Sequence, residues 1–320
     1  MTASDFSNSP GIALGENELS EIHAFALQLA KDAGALLMKA VNGRIAPGRQ
    51  GAGVPEIQLK DSSVDIVTET DMKTYSKGAD KHYLVDDAPT WIVDPLDGTV
   101  NFAHLFPMVC ISIGFTVGGH PVIGVINAPL LNQMVSACRG RGAWLNETQR
   151  LPLVHDPIPP LPENAPRGCI LSCEWGKDRR DRPGSNLYNK AETFLNMAAE
   201  LGGRDGKGGM VHGVRSLGSA AMGLAYAAMG SVDIWMEGGC WEWDVAGGIA
   251  ILEEAGGFVT TANPPGDPAT CEIPKVRLGG RLYLGIRPAG PSDKETALEA
   301  QQRVVREVWR RVQPLDYTRP

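Results

Sequence analysis

Residues 93–99 read Val-Asp-Pro-Leu-Asp-Gly-Thr, which puts Asp94 and Asp97 directly after the apolar Trp91-Ile92-Val93. Two carboxylates at the inner end of an apparent buried strand call for a chemical reason. Gly98 lets the chain turn sharply and Thr99 adds a hydroxyl. Backbone N–H groups at such a strand-to-helix turn attract phosphate. Two carboxylates would repel that phosphate unless cations lie between them. Aspartates, a backbone carbonyl and water are the hard oxygen ligands that Mg²⁺ takes beside a substrate phosphate. The alternative is a plain turn in which Asp97 caps the next helix. On this stretch alone both readings stand.

Three further stretches carry candidate chemistry. Asp244, in Trp243-Asp244-Val245-Ala246-Gly247, opens a helix after an aromatic loop, as a ligand or as an N-cap. Thr68-Glu69-Thr70-Asp71 is a second acidic helix start. Gly218-Ser219-Ala220-Ala221 places small residues at another helix start, either for tight packing or to meet substrate oxygens.

These residues need elements to hold them. Ile22, Phe25, Ala26, Leu29, Ala33, Leu36, Leu37 and Ala40 form one helical stripe, with Gly43 as its expected stop. The segment 64–71 is expected to open a second helix. Three apolar runs, 109–117, 122–128 and 133–138, predict a meander of antiparallel strands, the first two joined by Gly118-Gly119-His120-Pro121. The proline-rich 156–166 reads as irregular. Helices are predicted at 187–201, from Ser219 to Gly230 and over 244–257, and strands at 232–237 and 258–262. Ser292 and Glu295 are expected to form a capping box for a last helix. The alternation is that of a layered α/β protein. The expected division is a disordered lead at 1–18, an N-terminal α+β half carrying the metal and phosphate residues at 19–200, a C-terminal α/β half at 201–290, and a helix and tail at 291–320.

Composition narrows the partners. A net charge of −7 over 320 residues disfavours nucleic acid and anionic membranes. It leaves room for an anionic small molecule, because a bound cation inverts the local field. Six scattered cysteines lack paired CxxC units and read as reduced thiols, so a cytoplasmic setting is expected. The first twenty residues carry Asp5, Glu16 and Glu18 without an apolar run, unlike a signal peptide.

In order along the chain, VTETD, WIVDPLDGTVNFAHLFP, GVRSLGSAA and WEWDVAGGIAILEEAGG closely resemble the inositol monophosphatase family, over roughly residues 20–290. CEWGKDR, GGCWEWDVAG and the ending REVWRRV…LDYTRP look more like its fungal branch encoded with quinate-utilisation genes. The resemblance implies an αβαβα sandwich and a Mg²⁺-dependent, lithium-sensitive phosphomonoesterase acting on inositol monophosphate or a similar polyol or sugar phosphate. It also implies a homodimer, as family members often form. Carried over residue by residue, Asp94, the Leu96 carbonyl, Asp97 and Asp244 bind metal. Gly98 and Thr99 bind phosphate, and Asp71 pairs with Thr99 to orient and deprotonate the attacking water. Gly218, Ser219, Ala220 and Glu237 meet the substrate's hydroxyls.

Two departures accompany the resemblance. Trp241 stands where family members often have a histidine, which reshapes the expected alcohol pocket. More consequentially, only 22 residues separate Asp71 from Asp94, against about 40 in the family by the same resemblance. The helix end, strand and Gly-Glu-Glu motif that belong there are missing, and with them a metal-binding glutamate. The nearest acids are Glu69, Asp80, Asp86 and Asp87, the last two reading as a surface turn. Two alternatives follow: a non-catalytic relative that binds a phosphorylated ligand or a partner, and a 3′-nucleotidase-type phosphatase of the same superfamily.

Overall fold

A computed structural model describes residues 14–45 and 85–318, with the backbone of two short strands at 58–59 and 66–67. Helix α1 (Glu16–Ile45) is followed by strands β1 (Gln58–Leu59) and β2 (Ile66–Val67), which pair antiparallel. A six-stranded antiparallel sheet then runs in sequence order. Its strands are β3 (Thr90–Asp97), β4 (Cys110–Val117), β5 (His120–Ala128), β6 (Gln133–Cys138), β7 (Ala143–Leu145) and β8 (Gln149–Arg150). Helix α2 (Thr99–His104) leaves the end of β3. A second, mixed sheet has the order β10-β9-β11-β13-β12, from β9 (Ile170–Cys173), β10 (Gly213–Arg215), β11 (Ile234–Gly238), β12 (Phe258–Thr260) and β13 (Leu282–Ile286). Helices α3 (Asn186–Ala198), α4 (Ala220–Met229), α5 (Glu242–Glu254) and α6 (Ala297–Trp309) complete the described elements.

The layers follow from strand alternation. Along β4, Ile111, Ile113 and Phe115 pack with α1 residues such as Ala26, Ala30 and Leu37. The neighbouring Cys110 belongs to the core made with α4 and α5. Successive side chains point to opposite faces, so one strand serves two cores. Beyond the second sheet, Ile234, Met236, Leu284 and Ile286 pack under α6 residues Val304, Val305 and Val308 and α3 residue Met197. The order is therefore α1, six-stranded sheet, α4 and α5, five-stranded sheet, α3 and α6, which is the expected αβαβα sandwich. The helix α5 lies unusually close to the first sheet. A Cβ on Gly124 would fall 2.1 Å from the Gly247 carbonyl oxygen, and one on Gly247 would fall 2.8 Å from that of Ile113. Glycine at these places lets main chain rest on main chain.

Several boundaries differ from those expected. The first helix begins at Glu16, inside the expected lead, and runs through Gly43. Glycine costs a helix only about 1 kcal/mol relative to alanine. The Arg44 side chain beyond it donates to the carbonyls of Phe102 and Ala103, which holds the last turn. Within the expected second helix, Ile66 and Val67 form β2 instead. Both are β-branched and pair with Gln58 and Leu59, so a hairpin satisfies their backbone. The last helix is capped by Thr296 with Glu299, not Ser292 with Glu295: Thr296 Oγ1 accepts from Glu299 N–H, and Glu299 accepts from Thr296 N–H at 2.8 Å. Glu295 is occupied by Arg303. The strand β13 was not expected from the sequence, its Leu-Tyr-Leu-Gly-Ile being bracketed by loops. The expected antiparallel meander is present, with Gly118 and Gly119 at φ 62° and 70° in its first turn. No helix among the described residues is long and apolar enough to cross a membrane.

Candidate metal and phosphate site

In a regular strand, residues three apart face opposite ways. Asp94 and Asp97 escape that rule through a bulge. Asp94 pairs with Ser112 and Asp97 with Cys110, so three steps on β3 match two on β4. Proline, with no N–H to give the ladder, occupies the bulge at 95. The extra residue turns Leu96 into the α1-side core and returns Asp97 to the face that Asp94 shares with Ile92. Both aspartates thereby meet Asp244 of α5. One carboxylate oxygen from each of the three lies within 4.8 Å of the others.

Each carboxylate also has partners outside the cluster. Asp94 Oδ1 accepts the Leu96 N–H at 2.9 Å, inside the bulge. Asp97 Oδ2 accepts the Ser219 hydroxyl at 2.5 Å and the Ala221 N–H at 3.0 Å, with the Cys110 thiol 3.8 Å away. Thus Asp97 does not cap α2, whose N-cap is Gly98; it sits on the N-terminus of α4. Asp244 is likewise not an N-cap. It is the third residue of α5, and its Oδ2 accepts the N–H of Trp241, the N-cap, at 2.7 Å.

Burial and the nearby Asp244 charge push Asp97 up to about 7, against the pull of its hydrogen bonds. Burial also raises Asp244. Buried carboxylates crowded this closely disfavour their own ionisation, and a divalent cation among them reverses the effect. The donors are hard oxygens, so the set fits Mg²⁺ better than a soft metal. The carbonyl of Leu96 accepts the Thr99 hydroxyl at 3.2 Å. Gly98 has φ +84°, and a Cβ there would fall 2.5 Å from the Met108 carbonyl oxygen, so this turn requires glycine. Asn101 Nδ2 donates to the carbonyls of Met108 and Leu217, tying α2 to the loop before α4.

The expected alcohol-side residues are spread around this cluster. Ser219 is N-cap of α4, and its hydroxyl both donates to Asp97 and accepts from Met222 N–H. That leaves it positioned to hold Asp97. Gly218 has φ +69°, and its N–H, with that of Leu217, donates to Glu174 Oε1. Ala220 is buried in the core. Glu237, the last residue but one of β11, is buried. Burial and the charge of Glu174 push it up to about 8, against Lys190. Trp241 stacks on Trp243 at 5.3 Å between ring centroids, and the Arg281 guanidinium lies 3.8 Å above its ring. Asp71, Glu69 and Asp80 lie outside the described residues. Asp86 and Asp87 are exposed, and Asp86 Oδ1 accepts the Ala88 N–H in a surface turn.

Some residues that shape the site carried no signal of their own. Cys110, Glu174, Arg44 and Lys190 act through partners distant in sequence. Only Glu174 stood in a phrase already singled out, CEWGKDR.

The inositol monophosphatase family model matches residues 72–312. The quinic acid degradation cluster protein x of Neurospora crassa is 61% identical, covering 95% of this chain and 97% of its own. Protein qutG of Emericella nidulans is 60% identical over the same shares. The Neurospora alignment spans 332 positions, more than the 320 residues here, so it contains positions this chain lacks. Among solved structures, an inositol monophosphatase from Anabaena superposes with a TM-score of 0.59 at 26% identity, over 93% of this chain and 98% of that one. The five layers, the bulged Asp94–Asp97 strand end and these matches agree: the chain belongs to the inositol monophosphatase family.

Proposed function

We propose that this protein is a Mg²⁺-dependent, lithium-sensitive phosphomonoesterase that hydrolyses inositol monophosphate or a similar polyol or sugar phosphate. The observation that carries the reading is the convergence of Asp94, Asp97 and Asp244 within 4.8 Å, immediately before Gly98-Thr99. In this reading Asp94, Asp97, Asp244 and the Leu96 carbonyl hold the metal. Bound Mg²⁺ neutralises phosphate charge and makes water a better nucleophile near neutral pH. The Gly98 and Thr99 amides bind phosphate oxygens. Asp71 and Thr99 orient the attacking water and take its proton. Gly218, Ala220 and Glu237 face the alcohol half of the substrate, while Ser219 acts through Asp97. Six free thiols suit a cytoplasmic setting, and a homodimer is part of the same reading. The name of the Neurospora relative points to quinic acid degradation as the context, so phosphorylated hydroxy acids belong beside inositol 1-phosphate in the substrate panel.

A phosphate-release assay over that panel, with a nucleoside 3′-phosphate included, tests this. The expected result is Mg²⁺-dependent release that Asp94→Asn abolishes. Release only from the nucleotide would move the assignment to the 3′-nucleotidase type. One observation favours a second reading: the interval before Asp94 is short, and by the family resemblance that interval should carry a metal-binding glutamate. In that reading the protein binds a phosphorylated ligand without turning it over. Phosphate binding with no release from any substrate is its signature.

A further inference from the structure

The C-terminal segment 311–318 crosses the back of the site without joining a sheet. Much of its backbone is satisfied by side chains from one stripe of α3, with Asn263 adding to them. Asn196 Nδ2 donates to the Arg311 carbonyl, and Gln313 N–H donates to Thr193 Oγ1. Asn189 Nδ2 donates to the Pro314 carbonyl. Asn186 exchanges both of its amide bonds with Asp316, as Asn263 does with Leu315. Positions 186, 189, 193 and 196 recur at helical spacing. Of these, Asn186, Thr193 and Asn196 are buried, a polar stripe that an ordinary packing face would not carry. The stripe reads one register of the tail.

That register delivers Tyr317 onto Gly238-Gly239, the link between Glu237 and the Asp244 helix. Cβ atoms on these glycines would fall 3.0 Å and 2.8 Å from the Tyr317 ring, and Gly239 has φ +97°. Buried Lys190, on the same helix, donates to the Gly238 carbonyl at 3.3 Å and faces the Tyr317 ring at 5.2 Å. Arg281 closes the link. It donates to the carbonyls of Thr318 and Gly239 while lying over Trp241, the N-cap whose N–H binds Asp244. The Tyr317 hydroxyl has no hydrogen-bond partner among the described residues, so the ring does the holding.

From this geometry we infer that Tyr317 is a positioning residue: the tail clamps the Gly238–Trp241 link and so fixes Asp244 against Asp94 and Asp97. The metal half of this inference rests on the function proposed above. Residues that orient metal ligands typically change affinity about 10- to 100-fold when removed. Full-length Tyr317→Ala and Tyr317→Phe are compared by Mg²⁺ titration calorimetry and by near-ultraviolet circular dichroism. The signal lost in Trp241→Phe marks the contribution of the stacked indoles. Tyr317→Ala is expected to bind Mg²⁺ about 10-fold more weakly and to lose most of the indole-pair signal, with its helical far-ultraviolet spectrum intact. Tyr317→Phe is expected to restore both. Tyr317→Ala retaining the indole signal and wild-type Mg²⁺ affinity would overturn the inference, as would a Phe variant as impaired as Ala. If the wild type takes up no Mg²⁺, the phosphatase reading fails, and the indole signal alone decides whether the tail holds the link. A Tyr317→Ala protein that does not fold hands the test to Asn186→Ala, which removes both bonds to Asp316 beside Tyr317 and touches neither indole; it is expected to lose part of the same indole signal, and full retention there counts against the clamp.

Discussion

The two ends of the site are built by different means. At the β3 end, Asp94, Leu96, Asp97, Gly98 and Thr99 are contiguous, and one bulge and one left-handed glycine put them in place. At the β11–α5 end, the Gly238–Trp241 link between Glu237 and Asp244 is contacted by α3, the tail and Arg281, all remote in sequence. Local geometry is set by the chain's own stereochemistry and tolerates little change. An assembled geometry is set by many weak contacts, each removable at modest cost. The contrast predicts that single substitutions at the first end act abruptly, and those at the second act by degrees.

The sharpest break belongs to Asp94→Asn, which removes one charge and keeps the oxygen that accepts the Leu96 N–H. Mg²⁺ affinity should fall by at least about 100-fold with the melting temperature little changed, since even residues that merely support ligands cost 10- to 100-fold. Calorimetric titration measures it, and near-normal binding would remove Asp94 from the metal set. Next comes Gly98→Ala. A left-handed residue with a Cβ costs about 1–2 kcal/mol, and the collision with Met108 adds to it, for a total of about 3 kcal/mol by denaturant unfolding. A cost under about 1 kcal/mol would mean that the turn is less constrained than its φ implies.

Ser219→Ala connects the two ends, because it removes both the α4 cap and the hydroxyl on Asp97. A cap is worth about 1 kcal/mol and a hydrogen bond to a charged group about 1.5–3. A loss of about 2.5–3 kcal/mol is expected, with weaker Mg²⁺ binding than wild type. The smallest effect lies furthest out. Asp178 accepts from Arg180 and from the first N–H of α3, the helix that docks the tail. The Arg180 hydrogen bonds hold its carboxyl below the ordinary value of 3.8. A depressed carboxyl stabilises the fold above its unfolded value and loses that contribution as pH falls through the folded one. Asp178→Asn should therefore lower the melting temperature at pH 7 by less than Ser219→Ala. The gap from wild type should shrink steadily below about pH 3.8. A gap unchanged down to pH 2 would detach the effect from this carboxyl.

Legibility in the sequence follows the same division. The meander, the α4 and α5 helices and the Asp94–Thr99 turn were readable because each is encoded by neighbours: alternation, glycine and caps. The bulge itself was not, since a proline between two aspartates does not announce which face the second will take. Nor was the true partner of Asp97, because a side chain at 97 and a helix start at 219 become neighbours only once the layers stack. Gly43 failed as a stop for the same reason: Arg44 found carbonyls near residue 102. The stripe at 186, 189, 193 and 196 is not legible as a docking face, because its partner is a backbone, which has no sequence signature.

The close seat of α5 on the first sheet has a consequence for how this protein tolerates drift. Gly124 and Gly247 bring the carrier of Asp244 to the sheet that carries Asp94 and Asp97 with almost no side-chain volume between. The separation of the carboxylates is thus gauged by main-chain radii, which substitution leaves untouched. Cores elsewhere can exchange leucine for methionine or valine for isoleucine over generations without recalibrating the carboxylate cluster. The same gauge admits no wider mark: a single methyl at either glycine resets the spacing for all three carboxylates at once.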